Sequence, residues 1–495
     1  MKERIRQLAR QSAIYSLGNI AIKIGGLALA PVLLNTEYLG VASYGYLALL
    51  MVSAQLGVFI VGLGISTGLL RFWTHPDYRE RRGALASTAL LVSVLLAVLV
   101  NGTVFLVFSE DVAALLLDDA EKRDLVGMVL TYVGFKVIGA VPLTVFRVQD
   151  RPLAYGAVQM LEVVLLVLLC FYWLVFAGRA LEGIVLAYAA AAGITLLVSC
   201  SIVFIPMTWK IDAQVIRPLI RFGAPLALAS LSGWVLNSSD RYLLKWLSDP
   251  VVIAEYDWAS RVAGVINVLL VQSFQLAFVV VGLQRLDEND VSLHREMFRH
   301  YVVWTGWAVL ALSALTNDAM GVMAFVFGVD QTYVGISGLV LLVGIGFWFY
   351  GTNQIVASIL ASAGRTSVIA FCVGLAAFVN VLLNLLMIPA FGGMGAAAAT
   401  AVAFLALVGT TTFFAEKRIP VGYEWSLPTS VLVFIVGLFL LCELSQGWHR
   451  LAGIWFRIAA VVGYMPLLIM TGKYRASEFR GGFRTAVGII NLRRG

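Results

Sequence analysis

Charge is scarce in this sequence: Asp, Glu, Lys and Arg make up 13% of 495 residues, against 60% apolar residues. An ordinary soluble domain carries about 25% charged residues, so a wholly soluble chain is excluded. Cysteine and histidine are rarer still, with four of each. Cys170, Cys200, Cys372 and Cys442 all fall inside apolar runs without metal-ligand spacing, which argues against a disulfide framework or a zinc site and leaves them as small core residues. The four histidines, 75, 294, 300 and 449, lie in or beside loops and read as solvated. Neither a GxxxxGK[ST] phosphate loop nor an HExxH motif is present, so ATP hydrolysis and zinc hydrolysis have no residues to carry them. Long polar loops are missing too. The longest outer connection runs from about Ser109 to Asp124, which leaves no room for the extramembrane domain of a membrane glycosyltransferase, ligase or polymerase. The chain is expected not to be an enzyme.

What the sequence has is hydrophobic runs. A spanning helix needs roughly 20 apolar residues, and fourteen runs qualify, centred near Ile22, Val58, Val94, Val137, Leu166, Gly193, Leu236, Leu269, Leu310, Phe347, Ala377, Phe404, Phe434 and Ala460. The first is too long for a cleaved signal and reads as a retained anchor. The even number puts both termini on one side. Of the 35 Lys and Arg residues, 25 fall in the N-terminal segment, alternate loops and the tail, whereas Lys122, Arg123, Arg179, Lys245 and Arg450 lie on the opposite side. Lys23, Lys136, Arg241, Arg261 and Arg457 sit within or at the edge of spans. The positive-inside rule therefore predicts cytoplasmic termini. The net charge of +7 reports this topology and does not point to nucleic acid.

Three anchors recur at a nearly constant displacement: Tyr44 with Tyr256, Arg151 with Arg365, and Gly183 with Gly395. They predict two six-span halves, residues 1–209 and 210–420, then two added spans over 421–472 and a basic cytoplasmic tail, 473–495. Six is even, so the halves share one orientation and are related by an axis along the membrane normal, an arrangement that usually binds substrate between the halves.

Ionisable residues inside spans are costly, by about 2.5 to 3.5 kcal/mol on insertion scales, and are normally paired or face water. Span one carries Ser12, Ser16, Asn19 and Lys23 on one helical face, and span seven carries Ser230, Trp234, Asn237 and Arg241 at the same spacings. Arg261 joins them from span eight, with Gln272 and Gln275 further toward the cytoplasm. Lys136 and Glu162 should both reach mid-membrane at 1.5 Å per residue and form a structural pair within the first half. Asp240 is placed to neutralise Arg241 or Arg261, and Arg457, near an outer end, to snorkel. Lys23, Arg241 and Arg261 remain as a net positive lumen whose ligand should be an anion. Gln55, Asn353, Gln354, Asn380 and Asn384 could contact sugar hydroxyls, although such residues singly are more often helix-helix glue.

The opening Arg10-Gln-Ser-Ala-Ile-Tyr-Ser-Leu-Gly-Asn, the Leu39-Gly40…Tyr44-Gly45 turn, the Arg221-Phe-Gly-Ala-Pro225…Asn237-Ser-Ser-Asp240-Arg241-Tyr segment and Asn380…Asn384…Pro389…Gly392-Gly-Met-Gly395-Ala resemble the Wzx-type bacterial polysaccharide-biosynthesis flippases. These belong to the multidrug/oligosaccharidyl-lipid/polysaccharide (MOP) exporter superfamily. The resemblance covers nearly the whole chain. It implies an all-α fold of two six-helix bundles around a cavity, with two further helices, in the bacterial inner membrane. The implied activity is movement of an undecaprenyl-pyrophosphate-linked oligosaccharide from the inner to the outer leaflet by alternating access. Lys23, Arg241 and Arg261 match the cationic positions of such a cavity, and Asn19, Gln55, Asn237, Gln272, Gln275 and Asn353 are its candidate sugar contacts. No cofactor is implied beyond a coupling ion, H+ or Na+. The implied partners are the lipid-linked substrate, membrane lipids, and polysaccharide polymerase and assembly proteins. A lipid II flippase of the MurJ type and a cation-coupled multidrug exporter are the alternatives within the superfamily.

Overall fold

The computed structural model describes residues 25–203, 211–272 and 291–475. The first predicted span with Asn19 and Lys23, the inner loop with Gln275, and most of the basic tail lie outside the described residues. The longer helices run in the order α1 Val41–Gly62, α2 Ile65–Trp73, α3 Arg82–Leu117, α4 Arg123–Val148, α5 Pro152–Phe171, α6 Ala180–Ile202 and α7 Ala213–Leu247. They continue with α8 Pro250–Ile266, α9 Ser292–Phe327, α10 Ser337–Ser362, α11 Thr366–Arg418, α12 Ser426–Leu444 and α13 Arg450–Met470. Among the described residues there is no strand, and the only extended pairing is an isolated bridge between Asn35 and Val329.

Eleven helices among the described residues are long and apolar enough to cross a membrane, and the chain is a multi-pass membrane protein. At 1.5 Å per residue α1 is about 33 Å long, close to the roughly 30 Å hydrocarbon thickness. The 53 residues of α11 hold two spans. Its hinge is Gly392, whose φ of 54° and ψ of −131° are open to glycine and almost nothing else, so the runs near Ala377 and Phe404 are separate helical arms on either side of a kink. The run near Leu269 begins in α8, passes through a π turn at Asn267–Val271 and leaves the described residues after Gln272. Large apolar side chains are exposed along the helices, Val98, Leu106, Phe325 and Met470 among them. On a soluble protein they would mark an aggregation liability; here they meet lipid.

The described chain divides into two compact units. One comprises the residues up to Trp258 with Phe325–Asp330 and Ala377–Ala396; the other comprises Ala259–Ala324, Gln331–Ala376 and Ala397 onward. Lipid tails are as apolar as leucine, so close packing and polar bonds rather than hydrophobic burial hold such helices together. In the first unit α1 and α2 are separated by a break at Leu63 and Gly64, both left-handed, with φ of 43° and 66°. A Cβ at Gly64 would overlap the Gly223 carbonyl oxygen on α7, so this position needs glycine for its φ and for the approach of α7. Around the break Ile65, Leu69 and Trp73 pack with Leu85, Val141, Phe146 and Leu219 in one buried cluster.

In the second unit polar bonds join α12 and α13 to α9 and α10. Trp307 Nε1 donates to the Val461 carbonyl at 3.0 Å and Tyr464 Oη to the Val303 carbonyl at 3.3 Å. Arg457 does not snorkel as its position suggested. Only 8% exposed, its guanidinium grips Asp318 with two bonds of 2.7 Å and reaches Ser445 Oγ at 3.0 Å. Asp318 lies 139 positions before Arg457 and gave no local sign of the pairing. His294 also departs from expectation: it is buried, with Nε2 3.3 Å from Ser358 Oγ.

Candidate functional site

The densest polar cluster of the first unit forms where α7 and α8 turn back on each other. α7 ends at Leu247 and α8 begins at Pro250, a two-residue connection that makes the helices antiparallel neighbours. Consecutive residues on a helix point about 100° apart, so Asp240 and Arg241 diverge, as do Tyr256 and Asp257. The two dipeptides interlock. Arg241 Nε donates to Asp257 Oδ1 at 2.9 Å, while Tyr256 Oη donates to Asp240 Oδ2 at 2.5 Å. The Arg241 guanidinium also lies over the Tyr256 ring, 5.5 Å from its centroid, within cation–π range.

Other elements complete the cluster. Tyr44 of α1 donates to Asp257 Oδ2 at 3.2 Å. A close approach brings α1 near: a Cβ at Gly45 would overlap the Pro250 carbonyl oxygen. From the arm of α11 in this unit, Asn384 Nδ2 donates to Asp240 Oδ1 at 2.7 Å and to Asn380 Oδ1 at 3.1 Å, and Ser239 Oγ lies 3.4 Å from the same Asn380 oxygen. Asp240, Asp257, Tyr44, Tyr256, Asn380 and Asn384 are all buried. Buried charge persists only where it is paired and hydrogen-bonded, and both carboxylates have two bonded oxygens. Arg241 is less completely bonded. Its side chain is 11% exposed, Nη1 reaches the Asn237 carbonyl only at 3.4 Å, and Nη2 has no hydrogen-bond partner among the described residues. A guanidinium fork with free donors at a buried position is suited to a second anion.

The carboxylate that holds Arg241 is thus Asp257, not the adjacent Asp240. Tyr44, Tyr256 and Asp257 were missing from the candidate residues, although Tyr44 and Tyr256 mark the internal repeat. Their common role, a phenol bonded to an aspartate, was invisible without the partners. Lys136 and Glu162 are brought together, Nζ 2.8 Å from Oε1 and 3.1 Å from Oε2. Arg261 is partly buried on the part of α8 that belongs to the second unit. Gln55 is exposed on α1, and Asn237 is exposed with Nδ2 bonded to the Gly233 carbonyl at 2.7 Å. Gln272 is partly buried. Asn353 is buried in α10, and its Oδ1 has no partner among the described residues. Lys23, Asn19 and Gln275 are outside the described residues. No group of three His, Cys, Asp or Glu is placed to hold a metal among the described residues.

This helical architecture is similar in fold to solved transporters of the MOP superfamily. It is similar to the lipid II flippase MurJ in an inward closed conformation, with a TM-score of 0.73 at 12% identity over 93% of this chain and 100% of that one. It is also similar to an inward-facing multidrug resistance MATE family transporter (TM-score 0.64, 15% identity, 82% of this chain and 94% of that one). A third similar structure is a MOP superfamily transporter from Pyrococcus furiosus Vc1 (DSM3638), described by the reverse polarity of its binding pocket (TM-score 0.59, 13% identity, 84% and 96%). At these identities the likeness defines the fold. No curated protein matches the chain. The model of the polysaccharide biosynthesis protein family matches residues 8–279, more than half the sequence, and the chain belongs to that family.

Proposed function

We propose that this protein is a flippase that carries an undecaprenyl-pyrophosphate-linked oligosaccharide from the cytoplasmic to the outer leaflet of a bacterial inner membrane by alternating access. The observation that carries the reading is Arg241, a buried and incompletely bonded guanidinium inside the segment matched by the polysaccharide biosynthesis family. Pyrophosphate cannot cross hydrocarbon with its charge unmatched. At Arg241 it would meet a fork already stripped of water and held in place by Asp257 and the Tyr256 ring. Its oxygens would take the Nη donors, and by competing with Asp257 would loosen the bond between α7 and α8.

Lys23 and Arg261 are proposed to supply further positive charge along the same path. Asn19, Gln55, Asn237, Gln272, Gln275 and Asn353 are proposed sugar contacts, and Lys136 with Glu162 a structural pair. The six-span halves 1–209 and 210–420, with the added spans 421–472 and cytoplasmic termini, complete the proposal. Polysaccharide polymerase and assembly proteins would receive the product.

Lipid II transport is a second reading, favoured by the extent of the likeness to MurJ. Both substrates bear a polyprenyl pyrophosphate, so Arg241 would serve either. Complementation separates them. The protein should restore surface polysaccharide to a strain lacking its polysaccharide flippase and should not sustain growth of a strain depleted of its lipid II flippase. The opposite pattern would overturn the first reading in favour of the second.

A further inference from the structure

The break between α1 and α2 borders a partly open cavity of about 550 Å³, lined within the first unit by residues of α1, α2, α3, α4 and α7. Its depth follows from the chain. Tyr46, at the outer end of α1, touches Lys245 and Lys122, and Arg71 closes the inner end of α2. Gly64 lies seven positions before Arg71, roughly 10 Å at the helical rise. The break is therefore toward the inner end of the span, and within the hydrocarbon non-helical backbone is tolerated only if protein buries it or it lines a wet cavity. An interrupted helix also leaves its last carbonyls without intrahelical donors.

The lining answers that requirement. Ser66 and Thr67 of α2, Ser93 of α3 and Ser230 of α7 face the cavity, and none of its described lining residues is charged. Ser93 is 1% exposed, Ser66 is half-buried and Thr67 is exposed, and no hydrogen bond engages any of the three hydroxyls among the described residues. A buried hydroxyl without a partner costs free energy unless water or a ligand completes it. Phe59 supplies an apolar wall. Ser230 shares its helical face with Asn237 and Arg241, so the cavity and the ionic cluster lie along one side of α7, about 16 Å apart over eleven residues.

We infer that this cavity is a subsite for a neutral saccharide unit of the transported molecule, its ring hydroxyls taken by Ser66, Thr67, Ser93 and the carbonyls at the helix break. The inference rests on the flippase reading and deepens it: phosphate is read at Arg241, and sugar in an uncharged, hydroxyl-lined pocket nearer the cytoplasm. A cavity with no charge among its described lining residues suits phosphate poorly, and three unengaged hydroxyls are poor company for an isoprenoid tail.

Two measurements test it. In a variant with Cys170, Cys200, Cys372 and Cys442 replaced, Ser66→Cys and Thr67→Cys should react with a membrane-impermeant maleimide in inside-out vesicles. Undecaprenyl-pyrophosphate-linked oligosaccharide should slow the reaction several-fold, and undecaprenyl phosphate alone should not. Absence of labelling, or protection by both lipids alike, would overturn the subsite in favour of a lipid-facing or tail-binding groove. Second, Ser93→Ala and Thr67→Val should each lower transport of the oligosaccharide-bearing lipid by about two- to tenfold, the worth of one hydrogen bond, with a smaller effect on a substrate trimmed to its first sugar. Equal loss on both substrates, or none, refutes the sugar assignment while leaving the flippase reading intact. If wild-type protein moves no lipid-linked oligosaccharide at all, the flippase reading fails, and labelling without protection by any glycolipid shows that the subsite fails with it.

Discussion

Arg241 and Asp257 allow structure and transport to be separated. Their atoms are 2.9 Å apart, and at an effective dielectric of about 20 the attraction is about 6 kcal/mol, set against the desolvation of both groups. Breaking such a buried pair costs about 3–5 kcal/mol, because the survivor is left charged and unmatched. Asp257→Asn should fall at the low end, since Asp240 adjoins Arg241 and its charge softens the loss. Arg241→Gln should fall at the high end, since it leaves Asp240 and Asp257 together without the guanidinium. The double variant Arg241→Gln/Asp257→Asn removes both charges and should recover about 2–3 kcal/mol as coupling energy. Unfolding in mixed detergent micelles on titration with SDS reads the stabilities, and vesicle transport of lipid-linked oligosaccharide, normalised to folded protein, reads function. The double variant is expected to be folded and inactive, and Arg241→Lys partly active, because a point charge keeps the attraction and loses the fork. A double variant that is stable and transports as wild type would show that Arg241 only braces α7 against α8. An Asp257→Asn protein of unchanged stability would refute the buried pair itself.

Four further outcomes follow from the geometry. Asp318→Asn should destabilise the second unit by about 3–5 kcal/mol by stranding Arg457, with transport per folded molecule unchanged, and Asp318→Arg/Arg457→Asp should recover part of the loss in the same SDS titration. Gly64→Ala should cost about 1–2 kcal/mol for its left-handed backbone and about 1–3 kcal/mol more for overlap with α7, whereas Gly178→Ala, with φ 63° and open space around its Cβ, should show only the first cost. Asp118 is held below the ordinary carboxylate range by its hydrogen bond to Lys245; a depressed carboxylate stabilises above its unfolded value and loses this as pH falls through the folded one, so stability from this pair should be flat over about pH 5 to 8. Asp118→Asn should then change stability by less than about 1 kcal/mol, because the carboxylate is 61% exposed and screened by water even though the Lys245 side chain is only 7% exposed. Cysteines at Asp118, Gly178 and Gln446 should react from outside intact cells and those at Gln214 and Glu416 only from the cytoplasm; Ser445 is a poor probe because it is buried beneath Arg457.

Hydropathy made the membrane class legible because the bilayer imposes one length on every span and does so locally. Lys136 and Glu162 could be matched for a similar reason: they lie on adjacent helices, α4 and α5, and their depth follows from counting residues to each helix end. Asp257 was not found, because a carboxylate seven residues into α8 looks no different from one at a span boundary until α7 folds back on it. Arg457 and Asp318, 139 positions apart, were less legible still. Their pairing depends on how α13 packs against α9, which sequence periodicity does not encode.

The pairing also changes what the cationic residues mean. A lone buried arginine would argue for an anionic ligand by itself, since the charge must be answered by something. Arg241 is already answered by Asp257, so anion binding there has to proceed by exchange of one partner for another. Exchange suits a transporter better than permanent capture. A site of uncompensated charge would hold pyrophosphate tightly in every state, whereas a carboxylate waiting at 2.9 Å can reclaim the guanidinium as substrate leaves. Because Tyr44 of α1 bonds the other oxygen of Asp257, the same exchange would be felt by a second span. If that is the sequence of events, Asp257→Asn should bind lipid-linked pyrophosphate more tightly than wild type yet turn over more slowly. Equilibrium binding and single-turnover release, measured on the same preparation, decide it: weaker binding by Asp257→Asn, or unchanged release, would rule the exchange out.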